Sequence, residues 1–341
     1  MNPWTVEPGC PSSCAARPEP RVPAPEALRR YAALTYALTR AAARGERLAE
    51  PRVLRSEARA VLDALGVRLD AGRGPLAARG GRDGSTGGGT GRGPGTLIVA
   101  NHISWLDVVA LLAVEPATVL AKREVGRWPL IGTLARRAGT RFIDREGSPR
   151  ELPYIVASLA ELLRGGTSVL VFPQATTWCS PAGGRFRRAA FQAAADAGAP
   201  VRPVTVEYRQ GGAPSTAAAF LGDEDFTASL RRVAGARGLT VRITARALLR
   251  GTDRRALAAA AQRATRSAAV PCARPVAVRR AGARDGSGRT RGADRAAERR
   301  VGQPPPYDAH SAGDADDWLV GEDEVRHGVT SGKGSGAVVS R

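Results

Sequence analysis

Beyond Gly95 the chain alternates short apolar runs rich in Val, Ile and Leu with longer stretches whose apolar residues recur at helical spacing. The pattern predicts strands over residues 97–100, 118–121, 141–143, 168–172, 201–208 and 239–245. It predicts helices over 104–114, 128–138, 149–163, 185–197, 224–234 and 253–269. Apolar strands separated by helices of this length indicate an α/β domain over 96–270, with a mostly buried mixed sheet flanked by helices.

The flanking stretches read differently. Residues 1–25 hold repeated prolines without apolar periodicity and are expected to be disordered. Over 26–70 two helical stripes follow, the first through Leu28, Tyr31, Leu34 and Leu38, the second through Leu54, Ala58, Val61, Leu62 and Leu65. Two such amphipathic helices ahead of the domain suit either a bilayer surface or packing on their own domain. Residues 71–95 are rich in Gly and Arg and predict a flexible insert. They lack the Gly-Lys-Ser/Thr ending of a phosphate-cradling loop. The tail over 271–341, first basic and glycine-rich, then acidic, is expected to be disordered.

Composition narrows the field. Of 341 residues 43% are hydrophobic but only 5% aromatic, so the core is built from Ala, Val and Leu. The net charge of +19 implies polyanionic partners, whether nucleic acid, an anionic bilayer or phosphorylated ligands, or else a compositional bias toward arginine. Lysine occurs only at Lys122 and Lys333. Cys10, Cys14, Cys179 and Cys272 show no zinc or disulfide spacing, which fits a reducing cytosol, with Cys10 and Cys14 as idle thiols. No apolar run reaches the ~18 residues of a membrane span, and no secretory signal is visible, so membrane contact is expected to be peripheral.

The candidate chemistry lies at Asn101-His102-Ile103-Ser104-Trp105-Leu106-Asp107, where a predicted strand passes into a helix. His102 is the only histidine before His310. A histidine serves as a general base when a second group fixes its tautomer, and Asp107 is the nearest carboxylate. Five positions on a regular helix diverge by roughly 140°, so the two converge only if His102 lies in the turn and Asp107 in the first helical turn. Ser104 and Asp107 also match a capping box, which by itself accounts for the aspartate.

Further motifs follow in order. The chain resembles the glycerolipid acyltransferases of the 1-acylglycerol-3-phosphate acyltransferase family in four elements between about Gly95 and Tyr208. These are Asn101-His102 with Asp107, Phe142-Ile143-Asp144-Arg145, Val171-Phe172-Pro173-Gln174-Ala175-Thr176, and Ala199-Pro200-Val201-Arg202-Pro203-Val204. The resemblance implies that His102, held by Asp107, deprotonates the free hydroxyl of a lysophospholipid as it attacks the thioester of acyl-CoA or acyl carrier protein. The acceptor it implies first is 1-acylglycerol-3-phosphate. Neither cofactor nor metal is expected, and Cys179 is read as a bystander. Lys122 and Arg145 would hold the acceptor's phosphate, Gln174 and Thr176 would contact the acceptor, and the enzyme would sit in the cytoplasm on the inner face of the cell membrane.

The third motif departs from the family's Phe-Pro-Glu-Gly-Thr. Gln174 offers hydrogen bonds without a charge, and Ala175, if the family glycine has positive φ, costs about 1–2 kcal/mol. Three function classes therefore stand: an active O-acyltransferase of phospholipid synthesis, a weakened relative that binds lipid or acyl donor, and a basic nucleic-acid-binding protein. The third lacks aromatic interleaving, a helix-turn-helix pattern and zinc spacing, so no nucleic-acid partner is expected.

Overall fold

The computed structural model describes residues 10–72, 74–78, 93–143, 152–180 and 183–266. Arg145 and the expected tail over 271–341 lie outside these residues. In chain order the strands are β1 (Arg68–Ala71), β2 (Leu97–Ala100), β3 (Thr118–Lys122), β4 (Arg141–Ile143), β5 (Val169–Val171), β6 (Val201–Gln210), β7 (Ala213–Pro214) and β8 (Leu239–Ala245). The helices are α1 (Ala24–Ala43), α2 (Pro51–Ala64), α3 (Leu106–Val114), α4 (Ile131–Arg137), α5 (Leu152–Arg164), α6 (Ala189–Asp196), α7 (Phe226–Gly235) and α8 (Arg254–Thr265).

One mixed sheet runs in the order β1-β8-β6-β2-β5-β3-β4, with β7 paired to β6. The pairs β2–β5, β2–β6, β3–β5, β3–β4 and β1–β8 are parallel; β6–β8 and β6–β7 are antiparallel. Strand β2 lies inside the sheet, and its alternation sorts the core. Ile98 and Ala100 join Leu54, Leu62, Leu111 and Val233 on the face covered by α2, α3 and α7. Leu97 and Val99 join Leu159, Phe191 and Leu257 on the face covered by α5, α6 and α8. A strand buried on both faces must be apolar throughout, which is why Leu-Ile-Val-Ala reads as an unbroken run.

The N-terminal helices pack on their own domain with one face, as α1 buries Leu34, Ala37 and Ala41 and α2 buries Leu54, Ala58 and Leu62. Glu57, 3% exposed, joins them by accepting from Arg40 Nη2 at 2.7 Å and from Arg44 Nε at 3.0 Å.

Three stretches differ from the sequence expectation. Residues 10–23 are placed and packed rather than disordered: Cys10 is buried, Ala16 N–H donates to Thr216 Oγ1 at 3.0 Å, and Val22 N–H to the Gly235 carbonyl at 2.9 Å. Proline removes donors without preventing a segment from using the few that remain. Within the stretch expected to be a flexible insert, Leu76 is buried and Ala78 N–H donates to Thr96 Oγ1 at 2.8 Å. Strand β1 falls where a helix was expected to give way to that insert. It is an edge strand with alternating exposure, and its Arg68 and Asp70 hide the apolar signal.

Candidate active site

The C-terminal ends of β2 and β5, parallel neighbours, and the middle of β6 meet at one place, where open α/β sheets keep their sites. Asn101 continues β2 with its side chain: Nδ2 donates to the Val206 carbonyl at 3.0 Å and Oδ1 accepts from Val206 N–H at 2.8 Å. This extends the ladder to β6 while freeing the backbone of 102–104 to turn. Helix α3 then begins at Leu106, with the Ser104 hydroxyl accepting from Leu106 N–H at 3.2 Å. His102 thus lies in the turn and Asp107 in the first helical turn, as convergence requires.

Asp107 is fully buried and accepts four hydrogen bonds. Its Oδ2 faces His102 Nδ1 at 2.9 Å, Ile103 N–H at 2.7 Å and Ser104 N–H at 2.9 Å, and its Oδ1 accepts from the Tyr208 hydroxyl at 2.6 Å. The Ser104 bond is half of the expected capping box, so capping and orienting are done by one carboxylate. A carboxylate only accepts, so Nδ1 is the donor of this pair, and in the neutral ring that tautomer leaves the lone pair on Nε2. The ring stacks on Phe172, centroids 4.1 Å apart. At 20% side-chain exposure it is the open member of the pair.

The backbone of His102 is clamped from the third motif. Its N–H donates to Gln174 Oε1 at 2.6 Å and its carbonyl accepts from Trp178 N–H at 2.8 Å. Gln174 Nε2 in turn donates to the Gly183 carbonyl. Gln174 is 2% exposed with both ends of its amide engaged inside the chain, which corrects the expected contact with an acceptor hydroxyl. It positions His102. The turn that carries it closes with Ala175 N–H on the Phe172 carbonyl at 3.0 Å, and Ala175 has φ +63°, the left-handed conformation anticipated for the family's glycine. Thr176 follows, half-buried, and among the described residues none holds its hydroxyl.

Lys122 is exposed at the end of β3, in register with Ile143 at the end of β4, and Arg145 follows two residues beyond the described part of that strand. Two members of the site carry no role in the motifs, Phe172 and Tyr208. For Tyr208 the available signal is period two along β6: it shares the buried face of Val204 and Val206, where a hydroxyl needs a partner. Burial, then the Asp107 carboxylate beside it, push the Tyr208 phenol well above its ordinary range, so it stays a donor.

A histidine held by a buried carboxylate, its side chain partly exposed, is the arrangement that general-base chemistry needs. A family model described as Acyltransferase matches residues 89–207, which contain His102, Asp107, Phe172 and Gln174 and stop one residue short of Tyr208. The chain is 41% identical over 187 residues, 54% of its length and 72% of the relative's, to a lyso-ornithine lipid O-acyltransferase of Pseudomonas aeruginosa. It is 38% identical over 149 residues to a 1-acyl-sn-glycerol-3-phosphate acyltransferase of Neisseria meningitidis, spanning 44% of this chain and 58% of that one. Among solved structures, the 1-acyl-sn-glycerophosphate acyltransferase PlsC of Thermotoga maritima aligns over 70% of this chain and 91% of its own, at TM-score 0.48 and 17% identity. The protein belongs to the 1-acylglycerol-3-phosphate acyltransferase family of glycerolipid acyltransferases and is an acyltransferase. Among the described residues no helix is long and apolar enough to cross a membrane.

Proposed function

We propose that the protein transfers a fatty acyl group from acyl-CoA or acyl carrier protein to the free hydroxyl of a lysophospholipid, with 1-acylglycerol-3-phosphate as the first acceptor. The observation that carries this reading is the His102–Asp107 pair at 2.9 Å, with the histidine side chain 20% exposed and the aspartate buried. His102 Nε2 takes the hydroxyl proton as the oxygen attacks the thioester carbonyl. The tetrahedral adduct expels the thiolate, which takes the proton back from the imidazolium. General-base help of this kind supplies ~10²- to 10⁴-fold. The thioester is already activated, so the step uses no cofactor. Lys122 and Arg145 are the cations assigned to the acceptor's phosphate, one as a point charge and the other as a fork. The acceptor is reached from a membrane surface, peripherally and at the cytoplasmic face. Leu28 and Tyr36, 70% and 68% exposed on α1, support such a contact.

A second acceptor, a lyso-ornithine lipid, is favoured by the 41% identity to the Pseudomonas aeruginosa enzyme of that name. Purified protein assayed with each acceptor and with labelled acyl-CoA and acyl carrier protein separates the readings. Acylation of 1-acylglycerol-3-phosphate, lost in His102→Ala, is the expected result. Exclusive acylation of the lyso-ornithine lipid moves the assignment to the second reading. No turnover with any pair leaves a relative that binds lipid or donor only.

A further inference from the structure

Two thiols that the reaction does not use meet across 169 residues of chain. Cys10 Sγ lies 3.4 Å from Cys179 Sγ, in van der Waals contact, and Cys179 N–H points at Cys10 Sγ at 3.5 Å. They are 5% and 4% exposed. Cys10 stands on the N-terminal segment, which rests against the loop at Gly222: a Cβ added there would come within 3.4 Å of Ser12 N. Cys179 directly follows Trp178, whose N–H holds the His102 carbonyl. The same loop reaches Gly183, held by Gln174.

We propose that Cys10 and Cys179 are a redox modification site that closes to a disulfide by exchange with a low-molecular-weight disulfide such as oxidised glutathione. Closing the bond from sulfur contact to about 2.05 Å needs a shift of little more than an ångström. The N-terminal segment supplies it, being anchored by a few bonds rather than by a strand, and its transient lifting admits the oxidant. The Cys10 thiolate attacks the small disulfide and one small thiol leaves. The Cys179 thiolate then attacks the mixed-disulfide sulfur of Cys10 and the second small thiol leaves. Two protein thiols are oxidised, one small disulfide is reduced to two thiols, and the two protons pass to the leaving thiolates. The bond ties the first described residues of the chain to the loop that clamps the histidine.

The test uses the full chain equilibrated in glutathione buffers of increasing oxidised fraction, then alkylated, digested and mapped by mass spectrometry, with thermal midpoints read in parallel. The expected result is one cross-linked peptide joining Cys10 to Cys179, with Cys14 and Cys272 alkylated. The midpoint should rise by about 5–10 °C, reverting on reduction and failing to rise in Cys10→Ser. The proposal is overturned if all four cysteines are alkylated in the oxidised protein, if Cys10 pairs with Cys14, or if the rise persists in Cys10→Ser. Peptide mapping of the unsubstituted protein keeps the answer independent of how well the variant folds.

Discussion

The carboxylate of Asp107 divides its two oxygens between a local and a remote task. Oδ2 serves the imidazole and two backbone amides of its own turn, while Oδ1 is held by Tyr208, 101 residues away. Tyr208→Phe leaves the volume filled but strips buried Oδ1 of its donor and alters the carboxylate's hold on the imidazole, so kcat should fall about tenfold with KM for both substrates nearly unchanged. The same phenol predicts an alkaline limit. Its folded pKa lies above the unfolded value near 10, so the stability it contributes is complete below about pH 10 and is lost as pH rises past that value. Thermal midpoints between pH 9 and 11 should fall less steeply in Tyr208→Phe. The third motif makes two opposite predictions. Ala175→Gly relieves a left-handed alanine and should stabilise by about 1 kcal/mol in denaturant titration. Gln174→Glu keeps the acceptor for His102 N–H but turns a donor toward the Gly183 carbonyl into a second acceptor, and should lower both turnover and thermal midpoint. His102 and Asp107 are legible in the sequence because their partnership is local. Tyr208 is not, since a tyrosine on a buried strand reads as core until its partner is known.

At the scale of elements, helices and central strands are legible because their apolar periods reflect burial, and their observed bounds differ from the predicted ones by a few residues at the ends. Helix α6 shows why: it begins at Ala189 rather than four residues earlier, because the segment before it runs beside the third motif, with Arg187 N–H donating to the Pro173 carbonyl at 2.9 Å. Strand β1 escapes the apolar pattern since an edge strand answers to one neighbour only, here β8. The α1–α2 pair rests on stripes legible in sequence and on a buried carboxylate that is not. Glu57→Gln keeps the shape but removes the charge between Arg40 and Arg44. Both arginines keep more than a third of their side-chain surface exposed and stay partly hydrated, so the loss should be modest, about 1–2 kcal/mol by denaturant titration, with activity retained.

For the whole molecule, the sequence separates a proline-rich start, two helices and a domain, whereas the structure makes them share one core. The start of the chain closes the same face as α7, with Arg21 bridged to Ala236 and Gln210 Nε2 donating to the Pro20 carbonyl at 2.8 Å. Such long-range pairing leaves no periodic trace, because each contact uses a single residue. Deleting residues 1–17 should therefore lower the thermal midpoint and speed proteolysis near Thr216 and Cys179, where an idle terminus would change neither. Burial at the catalytic turn has a consequence of another kind. The amides of Ile103 and Ser104 belong to no helix or strand, yet both are buried and bonded to the Asp107 side chain. Their exchange with deuterated solvent is set by the opening of this turn rather than by any regular element, so two backbone protons serve as an internal clock for how often the histidine and its carboxylate come apart.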